Sequence, residues 1–430
     1  MLSSFKIQNF KSILEETISL KYAEGKAPNR YKESEIIPFL EINTNTRFVP
    51  CLMFLGANAS GKSNLIEAFF RFQHIIFNGI DKCFIPNKLN YKFDTTLFEL
   101  EFFVSKNKYN YVLEYNKDQI INEVLNKNNE ILYEIINKKT KFQKIESKGY
   151  SKIDFQNLLE VECSDIKDDS RIQKYTFLSK VCIKYPGLNA SLSEAFDYFK
   201  SKMKVYRANN VPYTFAINEL AEEETNEAIQ NSFHRIAKLV KKLDIDIEEF
   251  VLNRDIKKYG MEDELPLDFS SGAYIKLEKD GAKITTDAII SKHKDINNKL
   301  VDFKLTEESL GTKILFGLLG ICLSSLDKGK ILIIDELDRS LHPILFKQLI
   351  RLFKDKRYNK NNAQLIFTTH STDILDNDII RVSEIGIVGK TLKSGTTLKR
   401  LSDFEDIRNV NNFRKQYLEG RFSGIPFSYV

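Results

Sequence analysis

An α/β fold, with a mixed central sheet flanked by helices, follows from three stretches of the sequence. The octapeptide Gly56-Ala57-Asn58-Ala59-Ser60-Gly61-Lys62-Ser63 sets two glycines around four free positions, then a lysine and a hydroxyl residue. It lies between a short apolar run of buried-strand type, residues 51–55, and a helically periodic run, residues 64–70. A second run, Lys330-Ile331-Leu332-Ile333-Ile334, ends in Asp335 and Glu336, and a third, Gln364-Leu365-Ile366-Phe367, leads through two threonines to His370 and Ser371. Aliphatic runs without alternation read as strands covered on both faces, and polar residues at their C-terminal ends stand where such sheets bind ligands.

The remaining elements can be taken in order. Residues 5–10 and 16–20 alternate apolar and polar and read as strands, and residues 97–104 and 109–115 form a hairpin about a polar turn at 105–108. From about 117 to 170 the chain is rich in Lys, Asn and Glu, which predicts surface elements, with the basic run 138–148 as a solvated face. The clearest helix spans residues 221–243: Ile229, Phe233, Ile236, Val240 and Leu243 recur in steps of four, three, four and three. Alternation around residues 273–277 suggests further sheet, and residues 314–323 form an apolar helix opened by Ser309-Leu310-Gly311. This divides the chain into 1–116, the first half of the octapeptide-bearing α/β domain with its antiparallel β-subdomain; 117–290, a mainly helical insertion; and 291–430, the second half.

Composition narrows the function classes. A net charge of +5 over 430 residues is too small to argue for nucleic acid by itself. The five cysteines (Cys51, Cys83, Cys163, Cys182, Cys322) are scattered and lack metal-site spacing. The N-terminus has no cationic segment followed by an apolar one, and no apolar stretch is expected to reach membrane-spanning length, so the expectation is a soluble cytoplasmic protein with no membrane partner.

The octapeptide carries specific chemistry. Its glycines let backbone N–H groups wrap phosphates at a helix N-terminus, Lys62 reaches the β- and γ-phosphates, and Ser63 offers a hydroxyl to Mg2+. Asp335 would hold the metal directly or through water, and Glu336 would deprotonate an attacking water. His370 would meet the γ-phosphate or that water. The Ser309–Gly311 helix start is a weaker anion site, equally an ordinary cap.

Phosphate loop, Ser-x-Gly helix start, Asp-Glu strand end and strand-end histidine, in this order, resemble an ATP-binding-cassette (ABC) ATPase of the SMC/RecF/OLD branch. The opening Ile7-Gln8-Asn9-Phe10-Lys11-Ser12 and Asn64 fit that branch. Residues 335–343, 364–371 and 417–426 are similar to stand-alone ATPases of abortive-infection and restriction-linked operons, the AbiL/RloA type and relatives of the PARIS ATPase. The resemblance is dense over 1–70 and 290–430 and faint between. It implies ATP and Mg2+ as cofactors and slow hydrolysis to ADP and phosphate in a composite site of a dimer or higher homo-oligomer. Gly56, Asn58, Ser60, Gly61, Lys62, Ser63 and Asn64 would line the nucleotide, with Lys11 on the α-phosphate side. Ser309 and Gly311 would reach the γ-phosphate of a second protomer, with Asp338 as the inter-protomer acid. Lys62, Glu336 and His370 would be catalytic; Ser63 and Asp335 would hold the metal. A departure is Ser-Leu-Gly-Thr where transporter cassettes carry Ser-Gly-Gly-Gln. The glutamine that completes many Mg2+ sites stays open among Gln73, Gln119 and Gln156.

The stretch after His370 is short, and no sustained heptads occur, so neither an appended nuclease nor an SMC arm is expected. The resemblance then implies the ATPase subunit of an anti-phage defence system controlling a separately encoded effector, plausibly a nuclease. The alternatives are a RecF-like DNA-repair or DNA-binding ATPase and, within enzymes, a phosphate-loop kinase. DNA is a possible partner through Arg235, Lys238, Lys241 and Lys242, against the acidic Glu222-Glu223-Glu224 nearby; a solvated helix face is the default.

Overall fold

The structure, a computed structural model, describes residues 1–22, 36–43, 45–89, 92–137, 139–142, 173–207, 226–242, 245–259, 273–278, 281–375, 379–391, 395–405, 407 and 412–425. The chain divides into two compact units, one of Met1–Ala208, Ser325–Arg339 and Ile350–Val430, the other of Asn209–Ser324 and Ser340–Leu349.

The first unit is built on a thirteen-stranded mixed sheet. Five strands are mutually parallel, in the order Ile385–Thr391, Cys51–Leu55, Gln364–Thr368, Ile331–Ile334 and Met203–Tyr206. Ile331 to Ile334, Cys51 to Leu55 and Gln364 to Thr368 are buried along their whole length, as unbroken aliphatic runs require. The remaining eight strands pair antiparallel and extend the sheet through Gly395–Arg400, Ile13–Ser19, Leu2–Phe10, Thr96–Val104 and Asn107–Tyr115 to three more strands. The helix Lys62–Asn78 packs Phe69 and Phe72 against Phe5, with ring centroids 4.4 and 5.6 Å apart. The α/β, mixed-sheet expectation with an antiparallel flank is met.

Three expectations are corrected. The stretch after residue 117 is not a surface decoration: Ile120–Lys127 and Glu130–Ile136 form a hairpin that widens the sheet, with Leu125, Tyr133 and Ile135 fully buried. Its turn is Asn128-Asn129, both at positive φ (51° and 67°), which asparagine tolerates and a two-residue hairpin of matching twist demands. Among its described residues, the 117–290 stretch is therefore not mainly helical. It also supplies Met203–Tyr206 to the parallel core and, in the second unit, an antiparallel sheet of Glu249–Tyr259, Gly281–Lys294 and Ala273–Glu278, with Leu300–Lys304 also paired to Gly281–Lys294. The third correction is a 19-residue helix, Leu310–Lys328, apolar and long enough to cross a membrane by length and composition, although 67% of its most apolar window is buried inside the protein, as in a core helix.

The striped helix is Asn226–Lys241, with Ile229, Phe233, Ile236 and Val240 buried. Phe233 meets Phe316 edge-on at 5.4 Å, and Phe316 meets Phe250 at 4.8 Å. Leu243, Glu222 to Glu224, most of the basic run 138–148, Gln156, Cys163 and Pro426 lie outside the described residues.

Candidate active site

Everything in the first unit that bears on the octapeptide gathers at the C-terminal ends of the parallel strands. Cys51–Leu55 delivers the loop, and Lys62 opens the helix behind it. Gly61 stands at φ 106°, where a Cβ would lie 2.0 Å from the Thr396 hydroxyl, and a Cβ on Gly56 would lie 2.2 Å from the Val388 carbonyl oxygen. Both glycines are thus required by the backbone and side chains around them. Thr396 braces the loop: its hydroxyl donates to the Ser60 carbonyl at 3.1 Å and pairs with Ser12 Oγ at 2.6 Å. Ser12 in turn accepts from Asn64 Nδ2 at 2.6 Å, which brings the Lys11-Ser12 turn to the first turn of the helix. Lys11 itself is at φ 49° and its N–H bonds the Ile85 carbonyl at 2.7 Å.

Lys62 Nζ donates to the carbonyls of Gly56 (2.8 Å) and Ala57 (3.0 Å). Burial draws its ammonium below the ordinary lysine range, against the opposing pull of Asp335, Glu336 and Asp338. Ser63 Oγ donates to Asp335 Oδ1 at 3.2 Å. A hydroxyl and a carboxylate are the hard oxygen donors that Mg2+ takes, and that ion commonly draws its other ligands from water and phosphate oxygens. Among the described residues no group of three or more His, Cys, Asp and Glu offers a closed metal cage. The residues present therefore fit a nucleotide-bound Mg2+. Gln73 gives its amide to the Phe199 and Met203 carbonyls, both at 2.8 Å, and Gln119 sits in a turn closed on Asn116.

Glu336 follows the strand in the left-handed region, at φ 53°. A non-glycine residue there costs about 1–2 kcal/mol, and its neighbours must hold it. Thr368 does so. Its hydroxyl accepts the Glu336 N–H at 2.6 Å and donates to Asp335 Oδ1 at 2.5 Å, while its carbonyl accepts from Leu337 N–H. One side chain from the neighbouring strand thus positions both acids, a role the motif reading did not assign to it. The exposed His370 lies with Nε2 3.7 Å from Glu336 Oε1, and its N–H bonds Asp338 Oδ2 at 3.2 Å. Asp338 is thereby engaged within its own chain.

Ser309 and Gly311 belong to the second unit. Ser309 Oγ accepts from Thr312 N–H at 3.1 Å, the ordinary cap geometry, and Ser309 is exposed. Glu308, just before it, bonds Ser291 Oγ at 2.5 Å and His293 Nε2 at 2.6 Å, fixing the helix start to the sheet.

A family model described as "AAA domain, putative AbiEii toxin, Type IV TA system" matches residues 51–376. Among curated proteins no relative matches. The chain is similar to the SMC head domain from Thermotoga maritima, at 15% identity and a TM-score of 0.40, over 93% of this chain and 98% of that one. It is also similar to an Smc head domain bound to the C-terminal domain of ScpA from Pyrococcus furiosus, at 14% identity and a TM-score of 0.42, over 95% and 98% of the two chains.

Proposed function

The chain belongs to the family of AAA domains described as putative AbiEii toxins of type IV toxin–antitoxin systems, and from that premise we propose that it is a Mg2+-dependent, ABC-type ATPase controlling a bacterial anti-phage module. The observation that carries the ATPase reading is the convergence of Lys62, Ser63, Asp335, Glu336 and His370, held by Thr368 and Thr396. The family's description supports the abortive-infection setting. The AbiL/RloA-type branch and the separately encoded effector nuclease are parts of this proposal that rest on sequence resemblance, and the cytoplasmic location is a part that rests on the chain's composition.

In this reading the loop amides and Lys62 bind the triphosphate, and Ser63 with Asp335 holds Mg2+, which neutralises phosphate charge when bound. Glu336 takes the proton of a water whose oxygen bonds the γ-phosphorus. The bond from that phosphorus to the bridging oxygen breaks, and ADP leaves with the electron pair. His370, within 3.7 Å of the Glu336 carboxylate, orients it. Ser309 and Gly311 complete the site of a second protomer.

Glu336→Gln keeps the side chain's shape and removes the base. Phosphate release should fall at least about a hundredfold, with ATP still retained and a dimer or higher oligomer accumulating on it. Turnover at the parent rate would reject the assignment, and phosphate appearing on an acceptor instead of in solution would point to a kinase.

A further inference from the structure

The segment beyond the family-matched span ends in a bracket that reaches both sides of the site. The short helix Phe413–Leu418 buries Tyr417, whose hydroxyl donates to the Gly424 carbonyl at 2.9 Å. Gly424 stands at φ 71°, and a Cβ there would lie 2.8 Å from Ile387 Cγ2, 3.2 Å from the Val388 oxygen and 3.8 Å from the Gly56 Cα. The same Val388 oxygen is the atom that forbids a side chain at Gly56. The backbones at 56, 388 and 424 therefore lie close together, with the Ile387 side chain also against Gly424. The carbonyl of Gly56 is in turn a partner of the Lys62 ammonium. Phe422, fully buried against Phe404 at 5.4 Å, anchors the segment independently of Tyr417. On the other side, Arg414 pairs with Asp373 at 2.8 Å, three residues past His370.

We infer that residues 413–424 are a positioning element of the nucleotide site, in which Tyr417, through Gly424, sets the Gly56 end of the phosphate loop. The inference rests on the ATPase reading above and adds a specific path: Tyr417 hydroxyl, Gly424 backbone, Gly56 backbone, Lys62. The Arg414–Asp373 pair is half-exposed and adds little energy by itself. Its effect is to tie the same helix to the segment that carries His370, so displacement of that helix acts on both ends of the site.

The experiment compares full-length Tyr417→Phe and Gly424→Ala with the parent and with Lys62→Ala. Binding of Mg-ATP and Mg-ADP, KM and kcat for hydrolysis, and the melting temperature without nucleotide are measured for each. Tyr417→Phe removes one hydrogen bond and leaves the ring in place. Nucleotide affinity should weaken roughly three- to tenfold, KM should rise in step, and kcat and the nucleotide-free melting temperature should stay near the parent's. Gly424→Ala, strained at its φ and crowded by Ile387, should weaken affinity further. A melting temperature that falls while nucleotide affinity is unchanged makes the segment a structural prop and overturns the inference. Unchanged affinity and unchanged melting temperature in both variants overturn it as well. If the parent binds no nucleotide better than Lys62→Ala does, the ATPase reading fails and this inference fails with it; if the parent binds and only the variants match it, this inference fails alone.

Discussion

The glycines of the phosphate loop and the glycine of the Ser309–Gly311 turn are held to their identity by different things. A Cβ on Gly56 or Gly61 would strike atoms of this same chain, at 2.2 and 2.0 Å. A Cβ on Gly311 would find Ser309 Oγ at 3.8 Å and the Ser340 oxygen at 4.0 Å, ordinary contact distances, at no unusual backbone angle. Burial follows the same division. Ser60, Lys62 and Asp335 are buried, whereas Ser309 is exposed and its neighbour Leu310 is 66% exposed. One region is a largely buried wall tied together by its own hydrogen bonds, with Ser60 Oγ left without a partner. The other is a helix start whose glycine nothing in its own unit requires, and the proposed second protomer supplies a reason for it.

The sharpest way to break that comparison is Gly311→Asp. If Gly311 matters only for an approaching phosphate, the variant should fold at the parent's melting temperature and bind Mg-ATP within about threefold of it. Hydrolysis should nevertheless fall about a hundredfold, because an anion has been set against a phosphate. Mixing it with Lys62→Ala chains should restore part of the activity, since one composite site then keeps both intact halves. Full activity in Gly311→Asp, or no recovery on mixing, would leave each chain to work alone.

A smaller effect is expected inside the buried wall, at Thr368. Thr368→Val removes the hydroxyl that holds Asp335 Oδ1 and leaves the Glu336 N–H without its partner. The left-handed conformation of Glu336 then loses a support, and kcat should fall about tenfold, one to one and a half kcal/mol, with nucleotide affinity little changed. Thr368→Ser keeps the hydroxyl and should restore most of the rate. Steady-state kinetics of the three proteins decides it; equal kcat in Val and parent would remove Thr368 from the site.

What could be read from the sequence and what could not also divides by physics. The parallel core was legible because Ile331–Ile334 and Cys51–Leu55 are short unbroken apolar runs ending in ligand-type residues, a pattern that suits a strand covered on both faces. The phosphate loop was legible because its residues are consecutive. The hairpin Ile120–Lys127 and Glu130–Ile136 was missed because Lys, Asn and Glu dominate its outward positions, and its inward set includes a carboxylate. Glu123 is fully buried, its pKa raised by that burial, and it accepts from Tyr111, Tyr133 and the N–H groups of Phe177 and Leu178. Asn128-Asn129 was the readable signal there, a two-residue turn at positive φ. Thr368, Thr396 and Ser12 were missed for another reason. Their hydroxyls meet partners far along the chain (Ser12 and Thr396 are 384 positions apart), and no local pattern encodes such a pairing.

The comparison extends to the helix Asn226–Lys241, where the expected effect is the smallest. Its basic residues were candidates for DNA phosphates, and Lys238, Lys241 and Lys242 are exposed. Lys241, however, is held by Glu248 at 2.6 and 2.8 Å, and Lys294 reaches the same carboxylate at 3.0 Å. A carboxylate shared by two lysines cancels part of the charge a duplex would need, so the face reads as solvated surface. Changing Lys238, Lys241 and Lys242 to glutamate should leave ATP hydrolysis and ATP-dependent retention of duplex DNA at moderate salt as they are in the parent. The measurement is a salt titration of DNA retention with and without ATP. Each phosphate contact contributes a slope of about −0.9 on a log–log plot. A steep slope in the parent that flattens by about three contacts in the variant would turn this helix into a binding surface and favour the DNA-binding ATPase over the effector-controlling one.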